Sequence, residues 1–400
     1  MLAAWSGAAL AQQVEVEPME FYFSLYPEWK LQHFNAPSRA GTDVGTMGTL
    51  RNDTTVLSKD ASPKAAIDDH QWSNSYIGFR GQARTTAFTV GYDIQGTIDT
   101  HGIFFDNIKT RDAFVYADVQ GAGRLAYGKM DTTYKEIGDP VRMFGISSGN
   151  IVSTARVVSG VGWKAAGETT FNNRVDHMLL WVSPRWGNFN VGVSHSTRPV
   201  VTTPHRKPRL AAAGVYWRDG PWYAALATEV HRNWLPVSLA PDAPAPAAAS
   251  IRNSPLTASS RDQAWRASTS WTQGPWRVGA DIARLRYGES DSSALGGKFR
   301  SYANYTGQAS VEYRWDSWRF GANHARASAG ACALSGAIMC STNGLGGDQT
   351  SLGVLLALND FAGVFALAVH TRNGPAAFYG SSAQGAGTNA YAFGVKLAMK

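Results

Sequence analysis

The stretch "YTGQASVEYRWDSWRF", Tyr305 to Phe320, decides the fold. Up to Trp315 it alternates: Tyr305, Gly307, Ala309, Val311, Tyr313 and Trp315 lie on one face, Thr306, Gln308, Ser310, Glu312 and Arg314 on the other. A period of two is that of an extended strand, and a strand with one apolar and one polar face can divide lipid from water. Asp316-Ser317 then turns the chain between two tryptophans. In a soluble protein both flanks of a tight turn reach water, whereas Trp and Tyr rings suit an oil–water boundary. The arrangement recurs in "PRWGNF" (Pro184 to Phe189), "WRDGPWY" (Trp217 to Tyr223) and "WTQGPW" (Trp271 to Trp276). Trp186, Trp217, Trp222, Trp271, Trp276, Trp315 and Trp318 are therefore read as one aromatic girdle.

Working outward, Arg266, Ser268 and Ser270 alternate with Trp265, Ala267, Thr269 and Trp271, and Tyr391, Phe393, Val395, Leu397 and Met399 alternate with small or basic residues. Segments of this kind number sixteen: 19–33, 71–82, 87–98, 108–119, 124–132, 173–184, 189–198, 207–218, 222–232, 261–273, 276–287, 304–315, 317–329, 349–358, 362–373 and 389–400. The connections alternate between short turns, such as Asp219 to Pro221 and Asn359-Asp360, and long loops, such as 34–70, 133–172 and 233–260. An even number of strands with that alternation predicts an all-β fold, a sixteen-stranded antiparallel transmembrane β-barrel, with the tryptophan-flanked turns on the periplasmic side. Pro27 lacks a ladder donor and predicts a bulge or break in the first strand. The parity of the last strand makes a residue 401 outward-facing, where an aromatic side chain belongs.

Composition agrees. The 400 residues include 41 glycines, 12% aromatics and only 17% charged residues, with a formal net charge of +7. The basic residues are scattered, with no run beyond "HRKPR" at His205 to Arg209, so nucleic acid is not an expected partner. The opening "MLAAWSGAALAQQ" looks like the end of a secretory signal, with Ala9-Leu10-Ala11 as the cleavage site. Residues 1–11 are thus read as a leader remnant and 12–400 as a single barrel domain. Export to an oxidising compartment predicts a disulfide between Cys332 and Cys340. The apolar stretch Ser351 to Val369 carries Asn359-Asp360 at its centre, which favours a hairpin over a membrane helix.

Three chemical signals dissolve on inspection. "GRLAYGKM", Gly123 to Met130, fits G-x-x-x-x-G-K but lacks the following Ser/Thr and alternates as a strand. "GISSG", Gly145 to Gly149, fits G-x-S-x-G without a strand-to-helix elbow. The nine histidines have no metal-ligand spacing, so no metal, cofactor or catalytic residue is expected.

Several stretches resemble the Gram-negative general porins. "NSYIGFRG" (Asn74 to Gly81) is similar to their second strand, and "TRDAFVYADVQGAGRLAYGKMDTTYKEIGD" (Thr110 to Asp139) to the fourth and fifth strands running into the third loop. "NNRVDHMLLWVSPRWGNFNVGVSHS" (Asn172 to Ser196) is similar to the hairpin that follows. The resemblance is strongest over 72–198. It implies a trimer and a third loop, here about 133–172, that folds inward and constricts the pore, with loop acids facing wall bases. By position, Arg111 and Arg174 match wall arginines, and Asp139 a loop carboxylate; Glu136, Arg142, Lys129 and Tyr76 complete the candidate constriction. Alternation turns Arg174 inward, with Val175, Leu179 and Trp181 on the opposite face, and turns Lys129 outward. The chain departs from the family at Tyr76, where an arginine is usual, at Met143, often acidic, and at Leu180, often polar.

The function this implies is passive passage of small hydrophilic solutes and ions across the outer membrane, with a weak anion preference and lipid around a homotrimer. A substrate-specific channel, with Tyr76 and Trp163 as candidate aromatic rungs, and a barrel serving as adhesin or as sheath for a partner are the rival readings. The missing C-x-x-C-H haem motif weighs against a redox sheath.

Overall fold

In a computed structural model of the chain, residues 15–35, 66–98, 108–146, 149–162, 170–197, 207–234, 253, 257–291, 296–380 and 385–399 are described. The predicted leader at 1–11, Ser147-Ser148, Trp163, most of the Pro236–Pro255 loop and Lys400 lie outside them.

Sixteen antiparallel strands close into a barrel. They are β1 (Glu20–Leu25 and Pro27–Phe34), β2 (Ala66–Trp72 and Ser75–Arg84), β3 (Phe88–Ile98), β4 (Ile108–Val119), β5 (Gly123–Asp131), β6 (Arg174–Val182), β7 (Phe189–Thr197) and β8 (Arg209–Asp219). There follow β9 (Trp222–Arg232), β10 (Ala258–Gln273), β11 (Trp276–Asp291), β12 (Phe299–Trp315), β13 (Trp318–Ala327 and Ala331–Leu334), β14 (Gly347–Ala357), β15 (Ala362–Asn373) and β16 (Thr388–Met399). Neighbours in sequence pair throughout, and β16 closes the ring on β1 through Thr388↔Phe34 and Phe23↔Met399. Closure leaves no open sheet edge, which a bilayer would not tolerate.

Pro27 coincides with the break in β1. The register shifts by one residue between Ser24↔Tyr76 and Pro27↔Trp72, and Tyr26 fills the gap by donating its N–H to Ser75 Oγ at 2.8 Å.

Alternation sets the two faces. On β12, Tyr305 is exposed on the outside while Thr306, Gln308 and Glu312 are buried within. On β16, Tyr391, Phe393 and Val395 face out, and Ala390 and Ala392 face in. The stretch Ser351–Val369 is a hairpin: Asn359 Oδ1 accepts the N–H groups of Phe361 and Ala362 at 2.9 and 2.7 Å, an Asx turn joining β14 to β15. Both faces of this hairpin are apolar, because its inner residues Leu355, Phe365, Leu367 and Val369 are buried against Met143, Ile146 and Val152.

The wall is uneven in height. β5, β6 and β7 have 9 residues each, whereas β10 and β11 have 16 and β12 has 17. These three strands outrun the predicted segments 261–273, 276–287 and 304–315. The ladder continues to Ala258↔Asp291, beyond the last apolar outward residues, where the outward side chains become Arg and Ser and the two-faced pattern fades. About 9–11 residues suffice to span the hydrocarbon, so this side stands clear of it.

Among the described residues the register also shifts at Arg300, between Phe299↔Leu334 and Ser301↔Ala333, and two bulges interrupt the alternation nearer the charged part of the wall. Between Ile94↔Ala113 and Gly96↔Thr110, Arg111 and Asp112 together face one residue of β3. Between Gly128↔Met178 and Met130↔Val175, Asp176 and His177 together face Lys129, with His177 at φ 53°. Gly128 sits at the second bulge at φ 146°, where a Cβ would stand 2.1 Å from Ala113 O. Only glycine fits there.

Cys332 and Cys340 form a disulfide with Cα atoms 5.7 Å apart, tying the tip of β13 to the segment after it. Beside the predicted girdle tryptophans, the rings of Phe21, Phe79, Phe189, Tyr313, Phe320 and Phe361 complete a band at the short-turn end. Trp222 pairs with Trp271 at 6.3 Å, and Trp276 with Tyr313 at 4.6 Å. Trp186 and Trp315 are the most exposed of the seven.

Candidate functional site

The segment after β5 runs along the inside of the barrel. It begins with α1 (Thr133–Gly138), capped by Thr132, whose Oγ1 accepts the Lys135 N–H at 3.2 Å. It then kinks through Asp139–Val141 and Met143–Gly145 before α2 (Ala155–Ser159). Irregular backbone leaves carbonyls without partners, and the inner wall supplies donors to them. Tyr223 Oη donates to Ile137 O at 2.7 Å, Arg266 to Gly138 O at 3.3 Å and Thr306 to Val158 O at 2.7 Å. Arg277 donates to Pro140 O, Ser310 to Val141 O, Asn323 to Val152 O and Gln349 to Ile151 O and Ser153 O. In the other direction, the Phe144 N–H donates to Glu312 Oε1 at 2.7 Å.

Shape matches this pattern. Gly192, Gly214, Gly279, Gly321 and Gly353 lie on the inner faces of β7, β8, β11, β13 and β14 beneath Thr133, Ile137, Val141, Met143 and Phe144. A Cβ at Gly214 would stand 2.2 Å from Ile137, and one at Gly353 2.6 Å from Phe144. At the far side, Asn150 Nδ2 reaches Glu28 at 3.3 Å, and Gly149 lies against Asn74.

Opposite this segment the wall carries a charged group. Arg174 pairs with Asp112 at 2.5 Å and with Asp131 at 3.1 Å; Asp131 also holds Lys135 at 2.7 Å. Arg111 donates to Asn74 Oδ1 at 2.8 Å and lies over the Tyr76 ring, 4.4 Å from its centroid. Tyr76 in turn meets Tyr22 at 6.3 Å, and Tyr22 hydrogen-bonds Asp93. The bulge at 111–112 is what turns both Arg111 and Asp112 inward. Strict alternation from Phe114, Tyr116 and Asp118 keeps Asp112, the main partner of Arg174, inward and sends Arg111 out, so it is the inward turn of Arg111 that alternation alone does not show.

Of the predicted constriction residues, Arg111, Arg174 and Tyr76 come together here, and Glu136 is exposed to the lumen from α1. Asp139 and Arg142 do not meet the passage as two opposed charges. Arg142 is 2% exposed, held by Asp139 at 3.2 Å and Asn172 at 3.2 Å behind the segment. Burial pushes the Arg142 guanidinium down, as does neighbouring Arg266, while Asp139 opposes both. Burial likewise raises the Asp139 carboxyl, against the pull of Arg142. Lys129 is not brought to the group at all. It points outward and lies 3.4 Å from Asp176.

Val175, expected beside Leu179 on the outer face, is instead 5% exposed and packed with Met130, Met178, Leu180 and Leu210, because the bulge at 176–177 reverses its face. Among the described residues no group of His, Cys, Asp and Glu is disposed to hold a metal ion.

Further basic residues line the short-turn half of the lumen. Arg80 pairs with Glu20, Arg124 with Asp118, and Arg277 and Arg319 share Glu312. Arg218 lies over Tyr216 and Tyr223, Lys396 faces Tyr26, and Arg314 takes an inward position on β12. Their inward parity is visible in the sequence, as for Arg314 on the polar face of Tyr305–Trp315, but none of them belongs to the candidate constriction.

A closed sixteen-stranded wall with a charge-lined interior has counterparts among known proteins. The structure is similar to the anion-selective porin from Comamonas acidovorans, with TM-score 0.64 and 12% identity over 97% of this chain and 100% of that one. It is similar to the outer membrane protein OmpT of Vibrio cholerae in its trimer form, with TM-score 0.59 and 12% identity over 96% of this chain and 99% of that one. It is also similar to the outer membrane channel DcaP of Acinetobacter baumannii, with TM-score 0.57 and 11% identity over 96% and 97%. At these identities the likeness speaks for the fold. No curated protein matches the sequence at a significant level. The sequence profile of the Gram-negative porins, however, matches residues 1–357, most of the strands just described, and the chain belongs to that family.

Proposed function

We propose that the protein is an outer-membrane diffusion channel for small hydrophilic solutes and ions, narrowed by the segment 133–172 and weakly anion-preferring. The observation that carries this reading is the interior charge pattern. The group around Arg111 and Arg174 is nearly balanced by Asp112, Asp131, Glu136 and Asp139. In the short-turn half, acids are fewer than bases even with Asp93 counted: Arg218 and Arg314 stand beyond the pairs made by Glu20, Asp118 and Glu312. Fixed charge of one sign in a low-dielectric tube raises the local concentration of the opposite ion. No catalytic step is part of this reading. The likeness to a porin described as anion-selective supports it.

A planar-bilayer recording tests it. A conducting pore is expected with a reversal potential of anion sign at 0.1 M salt, weakening at 1 M as the screening length falls from about 10 to about 3 Å. Clear cation preference at low salt would overturn the anion assignment, and no conductance would overturn the channel.

Acid should strengthen anion preference. Asp139 is held above its ordinary value, so its charge is lost before that of an ordinary aspartate as pH falls, while the guanidiniums keep theirs. Selectivity that is flat from pH 7 to about pH 4 would place Asp139 outside the field of the pore.

The assembly we propose is a homotrimer. The outer wall of β2–β6, with the segment before β1, bears an apolar groove of about 770 Å³ lined by Val16, Met19, Val90, Val115, Leu125 and Leu179, suited to burial against a second copy. The native mass in mild detergent should be three times that of the chain, and a single-chain mass would refute the trimer.

A substrate-specific channel is the second reading, favoured by Tyr22 and Tyr76 standing 6.3 Å apart on the inner wall. Block of ion current by one sugar or aromatic solute, and not by its neighbours in size, would favour it.

A further inference from the structure

At the long-loop end of β8–β12, the outer face of the barrel carries a sheet of arginines. The ladder places Arg209 opposite Arg232 and Arg232 opposite Arg261, three like charges side by side on consecutive strands. Like charges directly opposite each other are destabilising unless a counter-charge joins them. One row toward the membrane, Gln263 faces Arg286; one row further, Trp265, Arg284 and Tyr305 stand in line, with Arg284 5.7 Å from the Tyr305 ring centroid. Arg261, Arg286 and Arg300 border a groove of about 460 Å³, floored at Gly288 and edged by Ser259, Ser290 and Ser301.

Glu289 also lines the groove, but it is only 6% exposed. Among the described residues, Arg209, Arg232, Arg261, Arg284, Arg286 and Arg300 make no ion pair. The carboxylates of these strands, Asp262, Glu289 and Asp291, are buried on the inner face, where Glu289 is held by Asn253 at 2.7 Å.

Height identifies what lies beside this sheet. On β11 the outward residues run Trp276, Val278, Ala280, Ile282, then Arg284, Arg286, Gly288 and Ser290. From Trp276 to Arg284 is about 27 Å along a strand at 3.4 Å per residue, which, tilted at about 40°, covers most of an apolar band about 25 Å tall. Trp265 and Tyr305, 47% and 56% exposed, mark its upper edge. The arginines above that edge lie at the level of lipid headgroups, and Arg binds phosphate with two parallel N–H donors.

We infer that this face is a binding site for a phosphate-bearing lipid headgroup of the leaflet on the long-loop side, seated between Arg232, Arg261 and Arg286 with its acyl chains along Trp265 and Ile282. The inference rests on the outer-membrane reading above and adds a specific lipid site to it.

Native mass spectrometry of the detergent-solubilised protein tests it, with lipid A, dephosphorylated lipid A and inorganic phosphate as probes. Lipid A should be retained, and binding by the R232Q/R261Q/R286Q variant should be about 100-fold weaker for three charges removed. Equal retention by the variant, or of the dephosphorylated lipid by the unaltered protein, overturns the site. Inorganic phosphate binding as tightly as lipid A would make it a free-anion site and overturn the headgroup assignment. Bilayer conductance of the variant should be unchanged. Conductance with no lipid discrimination defeats this inference alone, whereas its absence from the unaltered protein defeats the channel reading beneath it. Should the triple variant fail to fold, the comparison of the two lipids on the unaltered protein decides.

Discussion

Arg174→Glu is expected to turn the channel clearly cation-preferring, moving the reversal potential by tens of millivolts at low salt. Arg174 is the cation shared by Asp112 and Asp131. Its replacement changes the local charge by two units and leaves three carboxylates together, with Lys135 on Asp131 at 2.7 Å and Arg111 at 4.0 Å from Asp112. At 0.1 M salt such a field reaches about 10 Å, enough to act across a narrow lumen, and at 1 M it reaches about 3 Å. The shift should therefore be largest in dilute salt and nearly vanish in concentrated salt. Arg174→Gln should move the potential in the same direction by less. An unmoved reversal potential in both variants would place Arg174 away from the path of the ions.

Gly321→Leu together with Gly353→Leu should raise single-channel conductance several-fold. Both glycines lie beneath Met143 and Phe144, where even a Cβ would stand 2.8 and 2.6 Å from the overlying side chains. Two leucines cannot enter that space without lifting the segment from the wall, which also breaks the bond from Phe144 N–H to Glu312. The wall itself is untouched, since both positions face the lumen and the ladder of β13 and β14 keeps its register. Folding can be checked by heat-modifiable migration in gels. A folded variant with unaltered conductance would show that the segment does not set the width of the pore.

The barrel was legible because its physics is local. Tyr305–Trp315 and Tyr391–Met399 alternate cleanly, and the tryptophans around Asp219-Gly220 and Asp316-Ser317 mark where the wall ends. Illegible parts are those where one surface answers to another distant in sequence. Leu355, Phe365, Leu367 and Val369 face inward yet are apolar, because Met143, Ile146 and Val152 cover them. Arg142 reads as a pore charge until its burial behind the segment is seen. The partnership of Arg266 with Asp281, and of Glu312 with Arg277 and Arg319, could have been suspected from inward parity, but the loop carbonyls that the arginines also satisfy could not.

The bulges at Arg111-Asp112 and Asp176-His177 bear on how such a wall can change length over evolutionary time. Loss or gain of one residue within a regular strand reverses every side chain beyond it, exchanging lipid-facing for lumen-facing positions along the rest of that strand. At a bulge the extra residue is already unpaired, and its removal restores plain alternation. Single-residue gaps between relatives of this chain are expected at bulges of this kind and in the turns. Deletion of Asp112 or of His177 alone should leave the insertion of the barrel intact, where deletion of Val115 or Leu179 would abolish it.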